Sequence, residues 1–155
     1  MMKSEKISEL CETSLTDTQF VVDIKINNSN DIYIYIDDFN GLTIEECKRI
    51  SRFIESQLDR DSEDFSLEVG SPGLSKPFKV DQQYKKAINT IVEVMMNDGE
   101  KITGTLSEFN NGAITVTETK KVKIKNKKQE VQENHIIERN NIKSIKSVIS
   151  FSKKN

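Results

Sequence analysis

The spacing of apolar and polar positions splits the chain into a half that mixes helix with strand and a half that is almost all strand. Residues 3–15 set Ile7, Leu10, Cys11 and Leu15 on one stripe at steps of about three and four, which predicts an amphipathic helix. Residues 20–26 alternate, with Phe20, Val22, Ile24 and Ile26 on one side and Val21, Asp23 and Lys25 on the other. Asn27-Asn28-Ser29-Asn30 signals a turn, after which Ile32, Ile34 and Ile36 oppose Tyr33 and Tyr35, so a β-hairpin is expected. Asp37 to Gly41 breaks the strand. Thr43 and Glu46 form a capping box that opens a helix running to Leu58, with Ile44, Cys47, Ile50, Ile54 and Leu58 inward and Glu45–Arg49 as an outer ion pair. An acidic loop, Asp59 to Asp64, leads to a third strand whose Phe65, Leu67 and Val69 face inward. The order α-β-β-α-β predicts a two-layer α/β sandwich with helices on the Ile/Val/Leu face. Its other face would offer Asp23, Lys25, Tyr33, Tyr35, Ser66 and Glu68, and nothing in this half is left to cover it.

Beyond Phe78 the texture changes. Asp81 is placed to cap a short helix through Tyr84 and Ala87. Ile91–Met96, Lys101–Phe109 and Ala113–Thr119 then read as strands joined by the hairpin signals Asp98-Gly99 and Asn111-Gly112. Residues 120–128 hold six lysines in nine positions with an alternating apolar side, which extends the third of these strands into a long hairpin with a basic tip. Gln129 to Arg139 returns, Asn140-Asn141-Ile142 makes a tight turn, and a last strand is expected near Ser147–Phe151. Strands this closely spaced in so short a segment favour a small closed barrel.

Between the halves lies Leu67-Glu68-Val69-Gly70-Ser71-Pro72-Gly73-Leu74-Ser75-Lys76-Pro77-Phe78, which holds both prolines of the chain. Pro72 suits the first central position of a type II turn, and Gly73 would supply the positive φ of the second. Ser71 and Lys76 each precede a proline and are biased to extended backbone. A stiff, bent connector that keeps Leu74 and Lys76 accessible is expected.

Charge sharpens the division. The net charge is −2, yet residues 1–80 carry 9 Lys and Arg against 16 Asp and Glu, a balance of −7, and residues 81–155 carry 14 against 9, a balance of +5. Opposite signs suggest two domains with different partners, 1–79 acidic and 80–155 basic. No apolar run approaches the ~18 residues of a membrane span, and the N-terminus lacks a signal-peptide core, so a cytoplasmic protein with neither membrane insertion nor secretion is expected. Cys11 and Cys47 fall at apolar helix positions without metal-ligand spacing and read as reduced, buried thiols.

No catalytic constellation can be assembled. His135, the one histidine, stands in a polar strand without a motif and reads as a solvated side chain. Ser71 lacks a nucleophile-elbow or Ser-x-x-Lys setting. Gly70 to Gly73 is followed too closely by Pro77 to precede a phosphate-binding helix. Asp37-Asp38 reads as a loop feature, not a metal site. No cofactor is called for. Lys121, Lys123, Lys125, Lys127 and Lys128 could neutralise RNA phosphates, or could simply guard a strand edge; charge alone leaves these level. The acidic half would repel nucleic acid and suit a basic protein, or be a merely soluble surface.

The segment Leu-Glu-Val-x-Ser-Pro-Gly-Leu-x-basic-Pro, with the element order on both sides, resembles the bacterial ribosome maturation factor RimP family. Position 70 is Gly where that family commonly has Ser, and Lys76 stands where Arg is usual, without Arg's bidentate fork. The resemblance implies an Sm-like (SH3-type) barrel in the second half, making the fold α+β, and a non-enzymatic, monomeric factor that assists assembly of the small ribosomal subunit. It implies binding of the subunit precursor, of a basic ribosomal protein near the decoding region and of ribosomal RNA. Glu68, Ser71, Pro72, Gly73, Leu74, Lys76 and Pro77 are then the candidate binding residues. The alternative is an Sm-like RNA-binding regulator with an acidic adaptor domain.

Overall fold

The computed structural model describes residues 3–59, 61, 63–73 and 75–148. The chain forms two compact units, Met1–Pro72 and Gly73–Asn155. The first contains α1 (Ser4–Ser14), β1 (Gln19–Ile26), β2 (Asp31–Asp38), α2 (Ile44–Gln57) and β3 (Ser66–Gly70). Its sheet has the order β1-β2-β3, with β1 antiparallel to β2 and β3 parallel to it. Ile7 and Cys11 of α1, Ile50 and Ile54 of α2, Ile32, Ile34 and Ile36 of β2 and Phe65 make the core.

Strand β1 departs from simple alternation. Val21 pairs with Ile36 and Asp23 with Tyr35, so Val22 is an extra residue in a β-bulge. The bulge resets the phase: Val21, Ile24 and Ile26 pack toward the helices, not Phe20, Val22, Ile24 and Ile26. Phe20 faces the other way and is buried with its ring 5.0 Å from Phe39, so that end of the second face is covered after all.

Helix α2 is capped by the Thr43 hydroxyl, which accepts from the Glu46 amide at 3.1 Å. The reciprocal half of the expected capping box is absent, because the Glu46 carboxylate is engaged elsewhere. It accepts from Gln19 Nε2 at 2.7 Å and from Arg49 Nε and a terminal guanidinium nitrogen, each at 2.9 Å. Arg49 thus pairs with Glu46 and not Glu45, and also donates to the Ser14 carbonyl at 2.8 Å, fastening both helices to β1. Ile44, expected in the core, is 72% exposed at the helix start.

The second unit contains α3 (Asp81–Ala87), β4 (Ile91–Met96), β5 (Lys101–Phe109), β6 (Ala113–Ile124), β7 (Lys127–Glu138), a 3-10 turn (Arg139–Asn141) and β8 (Ile142–Ser147). The antiparallel sheet runs β7-β6-β5-β4-β8 and does not close into a barrel among the described residues. Tyr84, Ala87, Val92, Val94, Ile102, Leu106, Ile114, Val116, Ile137 and Ile145 fill its core. The final strand begins at Ile142, earlier than the expected Ser147–Phe151, because Ile142 already pairs with Met96 of β4; residues from 149 onward lie outside the described residues.

Helix α3 is capped by Gln83 and not by Asp81: Gln83 Oε1 accepts from the Lys79 and Val80 amides. Asp81 instead accepts from Arg139 at 2.9 Å. The Arg139 guanidinium in turn lies 4.9 Å from the Tyr84 ring centroid and 5.3 Å from that of Phe109, two rings stacked at 5.0 Å. This cation is therefore part of the framework.

At Gly104 a Cβ would stand 2.5 Å from the Thr117 carbonyl oxygen, and backbone does not yield cheaply. Gly104→Ala should lower the denaturation midpoint at a cost of about 1–3 kcal/mol, read by urea titration. The Arg49 and Gln19 hydrogen bonds hold the Glu46 carboxyl below its ordinary 4.5. A depressed folded value adds stability that is present above pH 4.5 and is lost as the pH falls through the folded value. Glu46→Gln should therefore lower the urea midpoint at neutral pH, and the gap to the parent should close below pH 4.5.

Candidate functional site

Two surfaces collect the residues that the sequence singles out. The first is the open face of the three-stranded sheet. Because β3 lies parallel to β2, Glu68 stands beside Tyr33, and Tyr33 beside Lys25, in one row. The next row holds Asp23, Tyr35 and Gly70. At the end of the face Asn27 and Ser66 donate to the Asp31 carboxylate at 2.9 and 2.7 Å and hold it below its ordinary range. Glu68 is exposed and has no hydrogen bond or ion pair among the described residues.

After Gly70 the chain leaves the sheet. Ser71, Gly73, Lys76 and Pro77 are exposed and Pro72 is half-buried; Leu74 lies outside the described residues. The turn differs from the expected type II turn across Pro72-Gly73. Gly73 does not adopt a positive φ. The closing hydrogen bond runs from the Lys76 amide to the Gly73 carbonyl at 3.0 Å, so the bend sits two residues further on. With its φ fixed, Pro72 is content in the extended run out of the strand, which asks nothing special of Gly73. Phe78 then donates its amide to the Ile145 carbonyl at 2.8 Å, anchoring the segment in the second unit.

The second surface is the β6–β7 hairpin. The ladder is unbroken from Ala113↔Glu138 to Ile124↔Lys127, while β5 covers only its first part, as far as Thr117. The remainder is a two-stranded ribbon. Lys125 and Asn126 turn it with φ of 53° and 67°, the left-handed pair of a type I′ turn. Alternation sorts the lysines. Lys121, Lys123 and Lys128 share one face, with Glu130 opposite Lys121. Lys127 shares the other face with Val122, Ile124 and Val131, which continues the line of the core residues Val116 and Ile114.

Lys120 is on that second face and is committed. Its ammonium lies 3.1 Å from Glu133 and 3.7 Å from Glu118, two carboxylates set directly opposite each other, and the pairing raises its pKa while lowering that of Glu133. His135 completes the group at 3.0 Å from Glu118, half-buried where a solvated strand residue was expected. Among the described residues, Glu118, Glu133 and His135 are the donors that could approach one metal ion, with donor atoms within 4.8 Å of one another. The Lys120 ammonium already lies between the two carboxylates, and with His135 the arrangement ties β6 to β7 at the base of the ribbon. No periodicity in the sequence announces it; it follows only from the register Glu118↔Glu133.

The remaining candidates resolve as structural. Asp37 accepts from the Asp38 amide at 2.9 Å and Asp38 from the Asn40 amide at 2.8 Å, so both shape the loop after β2. Cys11 is buried and its thiol is pushed up to about 12, while burial also raises Cys47, which leaves both poor nucleophiles. No helix among the described residues is long and apolar enough to cross a membrane.

Comparison with known proteins shows the family. Residues 6–75, nearly all of the first unit, match the RimP N-terminal domain family. A protein of Porphyromonas gingivalis is 39% identical over 141 residues, 88% of this chain and 93% of the relative. One of Flavobacterium psychrophilum is 40% identical over 118 residues, 75% of this chain and 76% of the relative. One of Cytophaga hutchinsonii is 30% identical over 120 residues, 72% of each. All three carry the name ribosome maturation factor RimP. With similarity running through both units and across the Ser71–Pro77 segment, the chain belongs to the RimP family of ribosome maturation factors.

Proposed function

We propose that the chain is a non-catalytic maturation factor that binds the precursor of the small ribosomal subunit. The observation that carries this reading is its kinship, over 88% of its length, with a protein named ribosome maturation factor. The surface chemistry supports a division of labour. Residues 1–79, acidic and with Glu68 unpaired among the described residues on an open sheet face, suit a basic ribosomal protein near the decoding region. Residues 80–155 carry the excess lysine, and the outer ribbon face of Lys121, Lys123 and Lys128, with Lys125 at the tip, suits ribosomal RNA. The curvature that bulges at Ser107 and near Met96 give the five-stranded sheet fits a small Sm-like (SH3-type) barrel.

In this reading Ser71, Leu74, Lys76 and Pro77 present contacts, and Pro72 and Gly73 shape their approach. Tying the two surfaces in one chain makes the second contact intramolecular once the first has formed. The factor acts as a monomer in the cytoplasm, where Cys11 and Cys47 stay reduced.

Co-sedimentation with small subunits, mature ones beside precursors from cells lacking the factor, tests the proposal at two salt concentrations. Preferential binding to precursors is expected. Equal or absent binding to both, with retained affinity for free RNA, would favour an RNA-binding regulator, the reading that the lysine face alone would support. Replacing Lys121, Lys123 and Lys128 together by Gln should reduce the slope of log affinity for ribosomal RNA against log salt by about 2. An unchanged slope would leave those lysines as guards of the ribbon edge.

A further inference from the structure

Gly70 has no local reason to be glycine. Its φ is not in the left-handed region, and a Cβ built on it meets nothing within 4 Å. A glycine inside a strand weakens it and commonly marks a place where something else approaches closely. The space it leaves is part of a cavity of about 260 Å³ lined by Tyr33, Tyr35, Glu68 and Gly70, with Ile34 and Val69 contributing from the strands between. Tyr33 and Tyr35 are half-buried, and their hydroxyls have no hydrogen-bond partner among the described residues. The free Glu68 carboxylate stands in the row beside Tyr33, on the side next to the gap.

From this geometry we infer that the cavity is a slot for one arginine side chain of a basic polypeptide. The proposal rests on the reading of the first unit as a holder of basic protein. A guanidinium is flat, stacks on tyrosine faces and offers a carboxylate two parallel N–H bonds. The slot supplies two such rings, one unpaired carboxylate and a floor without a side chain. A lysine ammonium would keep the charge contact and lose both the stacking and the fork. A nucleic-acid phosphate is disfavoured by Glu68 and by the surplus of acidic residues in this half of the chain. Ser at position 70 would narrow the slot, so its depth is specific to chains with glycine there.

The chain has no Trp and three Tyr, two of them in the slot, so tyrosine fluorescence reports occupancy by a peptide that lacks aromatics. The probes are a glycine-spaced peptide with three arginines and its lysine counterpart, titrated into the full chain. The arginine peptide should bind at least fivefold more tightly. Gly70→Leu, which fills the slot, should weaken it at least tenfold with an unchanged thermal midpoint, and Glu68→Gln should erase most of the preference for arginine over lysine. Equal affinities for the two peptides, or a Gly70→Leu protein that binds like the parent, would overturn the slot. Should Gly70→Leu fold poorly, Tyr35→Leu provides the same test and should also lose the preference. The outcomes separate from those of subunit binding. Preferential sedimentation with precursors without arginine preference sinks the slot alone, and arginine preference without sedimentation sinks the assembly reading alone.

Discussion

The parallel pairing of β2 with β3 is the constraint on which the first unit depends. Parallel neighbours cannot be joined by a tight turn, so the chain must cross the sheet between Asp38 and Ser66, and α2 makes that crossing. Its inward residues Ile50 and Ile54 then meet Ile32, Ile34 and Ile36 from the same side as α1. One face of the sheet is thereby committed to helices and the other is left with its tyrosines and carboxylates. The same pairing sets Glu68 and Gly70 beside Tyr33 and Tyr35, and delivers the chain at Ser71 into the segment that leads to the second unit.

Much of this was legible in the residues. Alternation in Ile32–Ile36 and helical spacing in Ile7–Leu15 are local, and local signals survive in the structure. Several misreadings arise where a side chain outside the local motif decided the outcome. The bulge at Val22 turns Phe20 away from the helices because β2 offers one fewer residue than simple pairing needs. Glu46 abandons its capping box because Gln19 and Arg49 compete for its carboxylate. Asp81 gives up the cap of α3 because Arg139 reaches it, and a glutamine three residues into the helix takes the role.

The candidate sites divide along the same line. The motif around Pro72 could be read directly, since it is a string of consecutive residues, but the place of its turn could not. Backbone conformation at Gly73 depends on what Pro72 and Lys76 make of the chain on either side. On the ribbon, the run of lysines was plain, yet only register shows that Lys120 is spent on Glu118 and Glu133 while Lys121, Lys123 and Lys128 look outward. A two-stranded ribbon is marginal in water by itself. The clasp of Lys120 and His135 on paired carboxylates gives this one a fixed base.

Distance along the chain carries a further consequence for the open face. Asp31 and Ser66, which start the β2–β3 pairing, are 35 positions apart, whereas β1 and β2 meet across a short turn. Near contacts close with less loss of chain entropy than far ones, so the β1–β2 hairpin is the less costly part of the sheet to close. The tyrosines belong to the hairpin, Glu68 and Gly70 to the strand that joins it across the long connection. A ligand touching all four would need both pairings of the sheet in place. A first unit without β3 would keep the tyrosines but lack the carboxylate and the glycine that line the cavity beside them.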